Sequence, residues 1–384
     1  MKKILIVGNW KTNHIRRFLS MLTEHKGNDL IIDAFDPCYE IGQGNECAVD
    51  TVYRLNVTNV EKQIFSIRKF GTYFLQKRKV STVAQLVKNN NYDLVNFHFI
   101  PINVLEMVKA CKRYNAKVML TPLGSDVLRV NGRYRNNIKR AFSLADYVSF
   151  NTNIGFCKEV SHAYGISANK IVNLGYGSEV ISSILELKGK YSRKEYSSIA
   201  SIPNSKFNIV CGYNASLAQR QNVILKSLIE NKQFLPEGYQ IIIPLSYGND
   251  KEVIKRDILS LNENHKLNIC FLDYYLSNEQ VASLRLITDL FIHIQTTDAY
   301  NASLQEFLLT GTTCINGAWL KYPSLERNGA PYIICKDLDH LSDCLKNCIC
   351  NPSPVFIHDN TISEIVSNSW INRIKDWLSF FNEM

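Results

Sequence analysis

The stretch LFIHIQTTDAYNASLQEFLLTGTTCIN, residues 290–316, holds two short apolar runs separated by a polar loop and a helix-length segment. The runs at 290–295 and 312–316 have the length and composition of buried strands. Between them Leu304, Phe307 and Leu308 recur at helical spacing, and Gly311 supplies the bend back into a sheet. A strand, a helix and a second strand within so few residues make a crossover unit, which implies parallel pairing.

The same alternation extends in both directions. Upstream, apolar runs stand at 4–8, 30–35, 52–57, 94–99, 118–123, 147–151 and 171–175. In the second half they stand at 207–212, 240–244, 267–272, 290–295, 312–316 and 332–335. Amphipathic segments fill the gaps. The expected fold class is α/β, with two Rossmann-like lobes whose parallel sheets face a central cleft. The domain reading is 1–175 for an acceptor-side lobe, 176–206 for a linker, 207–361 for a nucleotide-sugar lobe and 362–384 for a terminal helix. That last segment carries Ile365, Trp370, Ile374, Trp377 and Leu378 on one side, so it is expected to pack back on the body.

A chain of 384 residues suits two domains, and 46% hydrophobic residues suits a globular protein. The apolar start ends at Gly8, too soon for a secretory signal, and no run is long enough to span a membrane. Eleven cysteines without an export signal predict free thiols and a cytoplasmic location. Cys344, Cys348 and Cys350 lack the further ligands that a zinc site needs. Asp337-Leu338-Asp339 spells a metal-binding pair, but two carboxylates do not define a site, so it reads as surface. No metal and no cofactor are expected.

The net charge is +9. Residues 54–93 hold eight basic side chains against two acidic ones, interleaved with Phe65, Phe70, Tyr73, Phe74 and Leu75. Such a face can rest on anionic lipid at the inner side of a membrane; it reads equally as a solvated helix with its apolar side in the core. No nucleic-acid motif accompanies the charge, so nucleic acid is not an expected partner.

Ligands of this fold class bind beyond the carboxyl ends of the strands. There the second half presents Gly212-Tyr213-Asn214-Ala215-Ser216 before an expected helix from about Leu217, a turn able to offer backbone N–H groups to a phosphate, with Arg220 as a nearby cation. Close packing is the competing explanation of that turn. Ser246 and Tyr247 follow the next strand, and Tyr274 follows the third, where it could abut a flat base. His293 reads as a core histidine. Gln295, Asp298, Ser303 and Glu306 follow the fourth strand. With a helix starting after Asp298, the two carboxylates lie about two turns apart on one side. Glu306 sits among Leu304, Phe307, Leu308 and Leu309, so its carboxylate is expected to be partly buried, where ribose hydroxyls can satisfy it. The alternative makes Asp298 a helix cap and Glu306 an ordinary surface residue.

Acid-x7-acid followed by a small-residue bend and a short apolar strand resembles the Glu-x7-Glu element of retaining glycosyltransferases of the GT-B fold, family 4 above all. The resemblance implies Glu306 as ligand of the nucleotide ribose and Asp298 as ligand of the donor sugar. Asp298 stands one methylene short of the family's glutamate, and Tyr213 fills a place where the family commonly has a cation. The strand ending in His98 and the Gly124-Ser125-Asp126 turn are similar to acceptor-lobe elements of that family, which makes His98 and Asp126 candidates for acid/base work. Gly8 and Asn9, ending the first strand, are further acceptor-side candidates. Pieces around Gly212, Pro244 and Gly317 also resemble the 4-acetamido-4,6-dideoxygalactose transferases that act on lipid-linked sugars. The implied partners are a nucleotide sugar and a glycan or lipid-linked acceptor, in surface polysaccharide or glycan biosynthesis. Two other readings stay open: a non-hydrolysing nucleotide-sugar epimerase, and a non-catalytic two-lobed binding or scaffold protein.

Overall fold

The computed structural model describes residues 1–10, 12–38, 49–130, 132–151, 153–351 and 355–384. Among them every one of the thirteen apolar runs contributes a strand, with ends shifted by one to a few residues. The chain divides into two compact units, Met1–Gly177 with Trp370–Met384, and Ser178–Ser369.

In the first unit β1 (Lys2–Val7), β2 (Leu30–Asp36), β3 (Thr51–Arg54), β4 (Leu94–His98), β5 (Lys117–Thr121), β6 (Tyr147–Phe150) and β7 (Ile171–Asn173) form one sheet in the order β3-β2-β1-β4-β5-β6-β7. Every pairing is parallel; Ile4, for example, faces Ile32 on one side and Leu94 on the other. Ile4, Leu5 and Ile6 are all fully buried, because helices cover both faces of such a sheet. One layer of that cover comes from the far end of the chain. The helix Trp370–Glu383 buries Trp377 and Phe381 against Phe18 and Leu22. The Trp377 indole donates to the Gly175 carbonyl (3.0 Å), and Lys2 Nζ donates to the carbonyl of Asn382 (2.7 Å).

In the second unit β8 (Phe207–Cys211), β9 (Tyr239–Pro244), β10 (Ile269–Leu272), β11 (Leu290–His293), β12 (Thr313–Gly317) and β13 (Ile333–Cys335) are again all parallel, in the order β10-β9-β8-β11-β12-β13. The stretch expected as a linker packs into this unit: helices Glu179–Leu187 and Arg193–Ile199 bury Ile181, Ile184, Leu187 and Tyr196 in its core. The terminal segment forms two helices, Asp359–Ser367 and Trp370–Glu383. They part at Asn368, whose amide side chain donates to Gln305 Oε1 (2.7 Å) and whose carbonyl accepts from the Ser178 amide (2.9 Å). Both sheets reverse strand order at one place, between β1 and β4 and between β8 and β11, and that reversal opens a crevice at the carboxyl ends of the strands.

No described helix is long and apolar enough to cross a membrane. The ten described cysteines are all free; Cys47 lies outside the described residues.

Candidate functional site

The loop after β8 is held by its own chain more tightly than the sequence suggests. Gly212 takes φ +67°, and a Cβ there would stand 3.0 Å from Gln219 Oε1, so glycine is needed for both conformation and space. The amides of Gly212, Tyr213, Ala215 and Leu217 already donate, to the Ile292 carbonyl, Gln219 Oε1, the Tyr247 carbonyl and Asp250 Oδ2. The α-helix begins at Gln221, later than expected, after a short 3-10 turn over Leu217–Gln219. The expected open phosphate turn is therefore packed in part: the amides of Gly212, Tyr213 and Ala215 are spent within the fold, and those of Ala215 and Leu217 tie the β8 loop to the β9 loop. Arg220 remains at the switch point, with Nη1 donating to the Ile294 carbonyl (3.3 Å) and its guanidinium 5.2 Å from the Trp319 ring centre.

Beyond β11 the chain runs irregularly through Asp298 to Asn301, whose side chain caps the helix Ala302–Thr310 by accepting from the Leu304 amide (2.7 Å). Asp298 is thus neither cap nor helical residue, and the two carboxylates do not share a helix face. Its Oδ2 instead accepts from the Tyr322 hydroxyl (2.6 Å), which in turn lies 3.0 Å from His293 Nε2. A hydroxyl that donates to the carboxylate accepts from the imidazole, so His293 carries its proton on Nε2. Burial holds His293 down to about 3 and hence neutral. Asp298 is lifted to about 6, mainly by burial, against the opposing effect of Tyr322, Gln295 and Asn301. Gln295 Oε1 accepts from Gln219 Nε2 (2.7 Å) and the Tyr213 hydroxyl (3.1 Å), while its carbonyl accepts from the Trp319 indole (2.6 Å).

Glu306 is buried, as its neighbours required, and its partners come from the protein: Oε2 accepts from Arg285 Nε (3.1 Å) and Oε1 from Ser178 Oγ (2.8 Å). Arg285 Nη2 also donates to Ser303 Oγ (3.2 Å). Exposed Tyr247 lies within electrostatic range of Glu306, Arg285 and Asp298.

The crevice end of the second sheet thus gathers Tyr213, Arg220, Gln295, Asp298, Ser303 and Glu306, with Asn214 in the β8 loop and half-buried Ser246 and exposed Tyr247 in the β9 loop. Tyr274 stands apart. It follows the edge strand β10, two strands from β8, and its hydroxyl donates to the Ser201 carbonyl (3.1 Å). Sequence reading missed Tyr322 and Arg285. Arg285 leaves a trace, a cation between Leu284 and Leu286 at the buried end of the helix Asn278–Leu286, and such a charge requires a buried partner. Tyr322 leaves none, because only the fold brings it to β11.

In the first unit His98 is 2% exposed, hydrogen-bonded through Nδ1 to the Tyr176 hydroxyl and enclosed by Phe18 and Trp377. Burial holds it down to about 3, so it is neutral and too weak a base for the acid/base role expected of it. Asp126 accepts from the amides of Ile100 (2.8 Å), Leu123 (3.0 Å) and Gly124 (2.8 Å). It pins the loops after β4 and β5, and its lone pairs are taken. Gly124 needs its φ of +126°, Ser125 is exposed, and at Gly8 a Cβ would press on Ile15 at 3.1 Å. The Asn9 carbonyl closes a turn by accepting from Thr12 Oγ1 (2.7 Å).

The basic segment forms helices Asn59–Ser66 and Arg68–Asn90, and with the helix Val104–Arg113 they line a groove of about 850 Å³. Phe70 (64% exposed), Tyr73 (55%) and Phe74 (41%) stand in solvent; the side chains of Arg68 and Lys69 lie outside the described ones. Asp337 accepts from the amides of Asp339 and His340 in the turn that precedes the helix Leu341–Cys350. Among the described residues no group of three or more His, Cys, Asp or Glu is placed to hold a metal ion.

No protein-family model matches the sequence, and no curated protein is significantly similar to it. Solved structures do match along the whole chain. A glycosyltransferase from Rickettsia africae ESF-5 is 15% identical with a TM-score of 0.70, the match covering 100% of this chain and 98% of that one. Sucrose-phosphate synthase from Thermosynechococcus elongatus is 10% identical with a TM-score of 0.73, covering 100% and 99%. Anabaena HepE, solved in complex with UDP and glucose, is 13% identical with a TM-score of 0.67, covering 100% of both chains. The shared architecture is the two-sheet α/β fold of the GT-B type.

Proposed function

We propose that this protein is a glycosyltransferase that moves a sugar from a nucleoside-diphosphate sugar to a glycan or lipid-linked acceptor. The carrying observation is the half-buried Asp298 beyond β11, held by the Tyr322 hydroxyl and lifted to about 6. A helix cap has no need of that environment, whereas a carboxylate that meets a sugar hydroxyl or a developing positive charge does. Kinship with family 4 rests on the Asp298-x7-Glu306 spacing. Likeness to HepE, whose structure contains UDP and glucose, supports a nucleotide sugar as donor.

In this reading Glu306 receives the ribose, Tyr213 and Gln295 flank the donor, and Asp298 holds the transferred sugar. Departure of the diphosphate builds negative charge. Arg220 and the first-turn amides of Ala302 and Ser303, which have no acceptor within their helix, meet that charge without a metal. Configuration is retained, with no protein nucleophile. Gly8, Asn9, Gly124 and Ser125, at the crevice end of the first sheet, serve the acceptor. The groove beside Tyr73 and Phe74, with Lys77 and Arg78, favours an enzyme resting on anionic lipid at the inner face of a membrane, where lipid-linked acceptors reside.

The test is thermal-shift and calorimetric screening of nucleoside diphosphates and nucleotide sugars, followed by transfer assays over an acceptor panel. Binding of a diphosphate, and transfer that Asp298→Asn abolishes while donor affinity persists, is the expected outcome. A protein that binds none of these compounds is not this enzyme.

A further inference from the structure

The partners of Glu306 are unequal, and the inequality carries a consequence for the donor site proposed above, on which this inference rests. Arg285 is fixed at three points on one helix. Its Nε donates to Glu306 Oε2 (3.1 Å), its Nη2 donates to Ser303 Oγ (3.2 Å), and its guanidinium stands 4.1 Å from the Phe307 ring centre. Residues 303, 306 and 307 share a face of the helix, so one planar group grips all three. Arginine is 5% exposed and glutamate 4%. A buried pair of this kind is costly to break, since either charge alone would be left without compensation.

The other carboxylate oxygen has a weaker holder. Oε1 accepts from the neutral hydroxyl of Ser178 (2.8 Å). Ser178 does not depend on that bond for its position. Its amide donates to the Asn368 carbonyl (2.9 Å), it bridges Ser369, and it is half-buried where the chain enters the second unit. The side chain can therefore rotate away at the loss of one neutral hydrogen bond, while the backbone stays put. A ribose hydroxyl offers Oε1 the same kind of donor, so the exchange conserves hydrogen bonds.

We infer that Arg285 is a positioning residue that fixes the Glu306 carboxylate for a ribose, and that Ser178 is the placeholder the ribose displaces. Arginine rather than lysine is required, because an ammonium cannot hold Glu306 and Ser303 in one plane. Ser178 competes with the ligand, so its loss favours binding.

The experiment is calorimetry on the full chain with UDP, ADP, GDP, CDP or dTDP, whichever binds the wild type most tightly, against the 2′,3′-dideoxy analogue of the same nucleotide. The wild type should prefer the hydroxylated form by only a few-fold, because the ribose hydroxyl replaces the Ser178 bond rather than adding to it. Ser178→Ala should bind the hydroxylated form about two- to tenfold more tightly and the dideoxy analogue no more tightly, so that the preference widens. Arg285→Lys should lose most of the preference and Arg285→Met all of it, an effect that loss of stability alone does not produce. If Arg285→Met fails to fold, Arg285→Lys carries the test. Weaker or unchanged binding by Ser178→Ala, or an undiminished preference in the Arg285 variants, overturns the inference and leaves the donor site standing. A preference that does not widen in Ser178→Ala also overturns it alone. A wild type that binds no diphosphate takes the donor site down as well.

Discussion

Asp126, beyond β5 of the first unit, and Asp298, beyond β11 of the second, are both carboxyl groups lifted above their ordinary range by burial. Asp126 receives the amides of three residues in two loops and is 5% exposed. Asp298 is half-buried and is held mainly by side chains, Tyr322 foremost, with the Ala299 amide beside them. Backbone amides cannot leave without unfolding a loop; a tyrosine hydroxyl can turn to another partner. A carboxylate saturated by main chain stabilises the fold, and one held by side chains is free to meet a ligand. The two histidines are alike in burial and in their tyrosine partners, and differ in that the Tyr322 hydroxyl beside His293 goes on to a carboxylate, Asp298.

That contrast can be broken by substitution. The largest effect belongs to Asp298→Asn: turnover should fall about 10²- to 10³-fold with donor affinity within a few-fold of wild type. A steady-state assay beside calorimetry reads both, and preserved turnover would put Asp298 in the same structural class as Asp126. Next comes Asp126→Ala, which strands the amides of Ile100, Leu123 and Gly124 and should cost about 2–4 kcal/mol of stability in chemical denaturation. A loss below about 0.5 kcal/mol would show that the loops hold without it.

The pH dependence sharpens the comparison further. Burial raises Asp298 from 3.8 to about 6, so between those values the folded chain keeps a proton that the unfolded chain has released. Its contribution to stability therefore falls as pH rises through that window and is least favourable above it. Asp298→Asn should be about 1–2 kcal/mol more stable than wild type at pH 7, with the difference gone below about pH 4. Denaturation curves across that range check the sign. Turnover that needs the ionised group should decline as pH drops through about 6. The smallest effect on the fold is expected from Phe70→Ser with Tyr73→Ser, two exposed rings whose loss should shift stability by no more than about 0.5 kcal/mol. Co-sedimentation with anionic vesicles should nonetheless fall severalfold; unchanged co-sedimentation would return this helix to the role of a solvated face.

Much of this molecule was legible before folding. Strand positions follow from local apolar runs bounded by polar turns, and each run needs only its own few residues to be read. The burial of Glu306 was legible for the same reason, since its apolar neighbours lie within one helical turn on either side. The start of the helix after Asp298 was not. Asn301 competes with Asp298 for the same capping place, and the Tyr322 hydroxyl, twenty-four residues downstream, draws the aspartate away. The β8 turn was misread through the same limit: its amides look free until Gln219, Asp250 and the Tyr247 carbonyl are brought against them.

The sequence by itself determined two parallel α/β sheets and a pair of acids eight residues apart near the end of a strand. Tertiary structure alone decided that one acid is clamped by Arg285 and the other by Tyr322, and that His98 and Asp126 are sealed into the scaffold. Periodicity and burial are local properties of a chain, written in neighbouring residues. Hydrogen-bond partnership across a sheet is set by which loops the strand order brings together, and no window of sequence contains it.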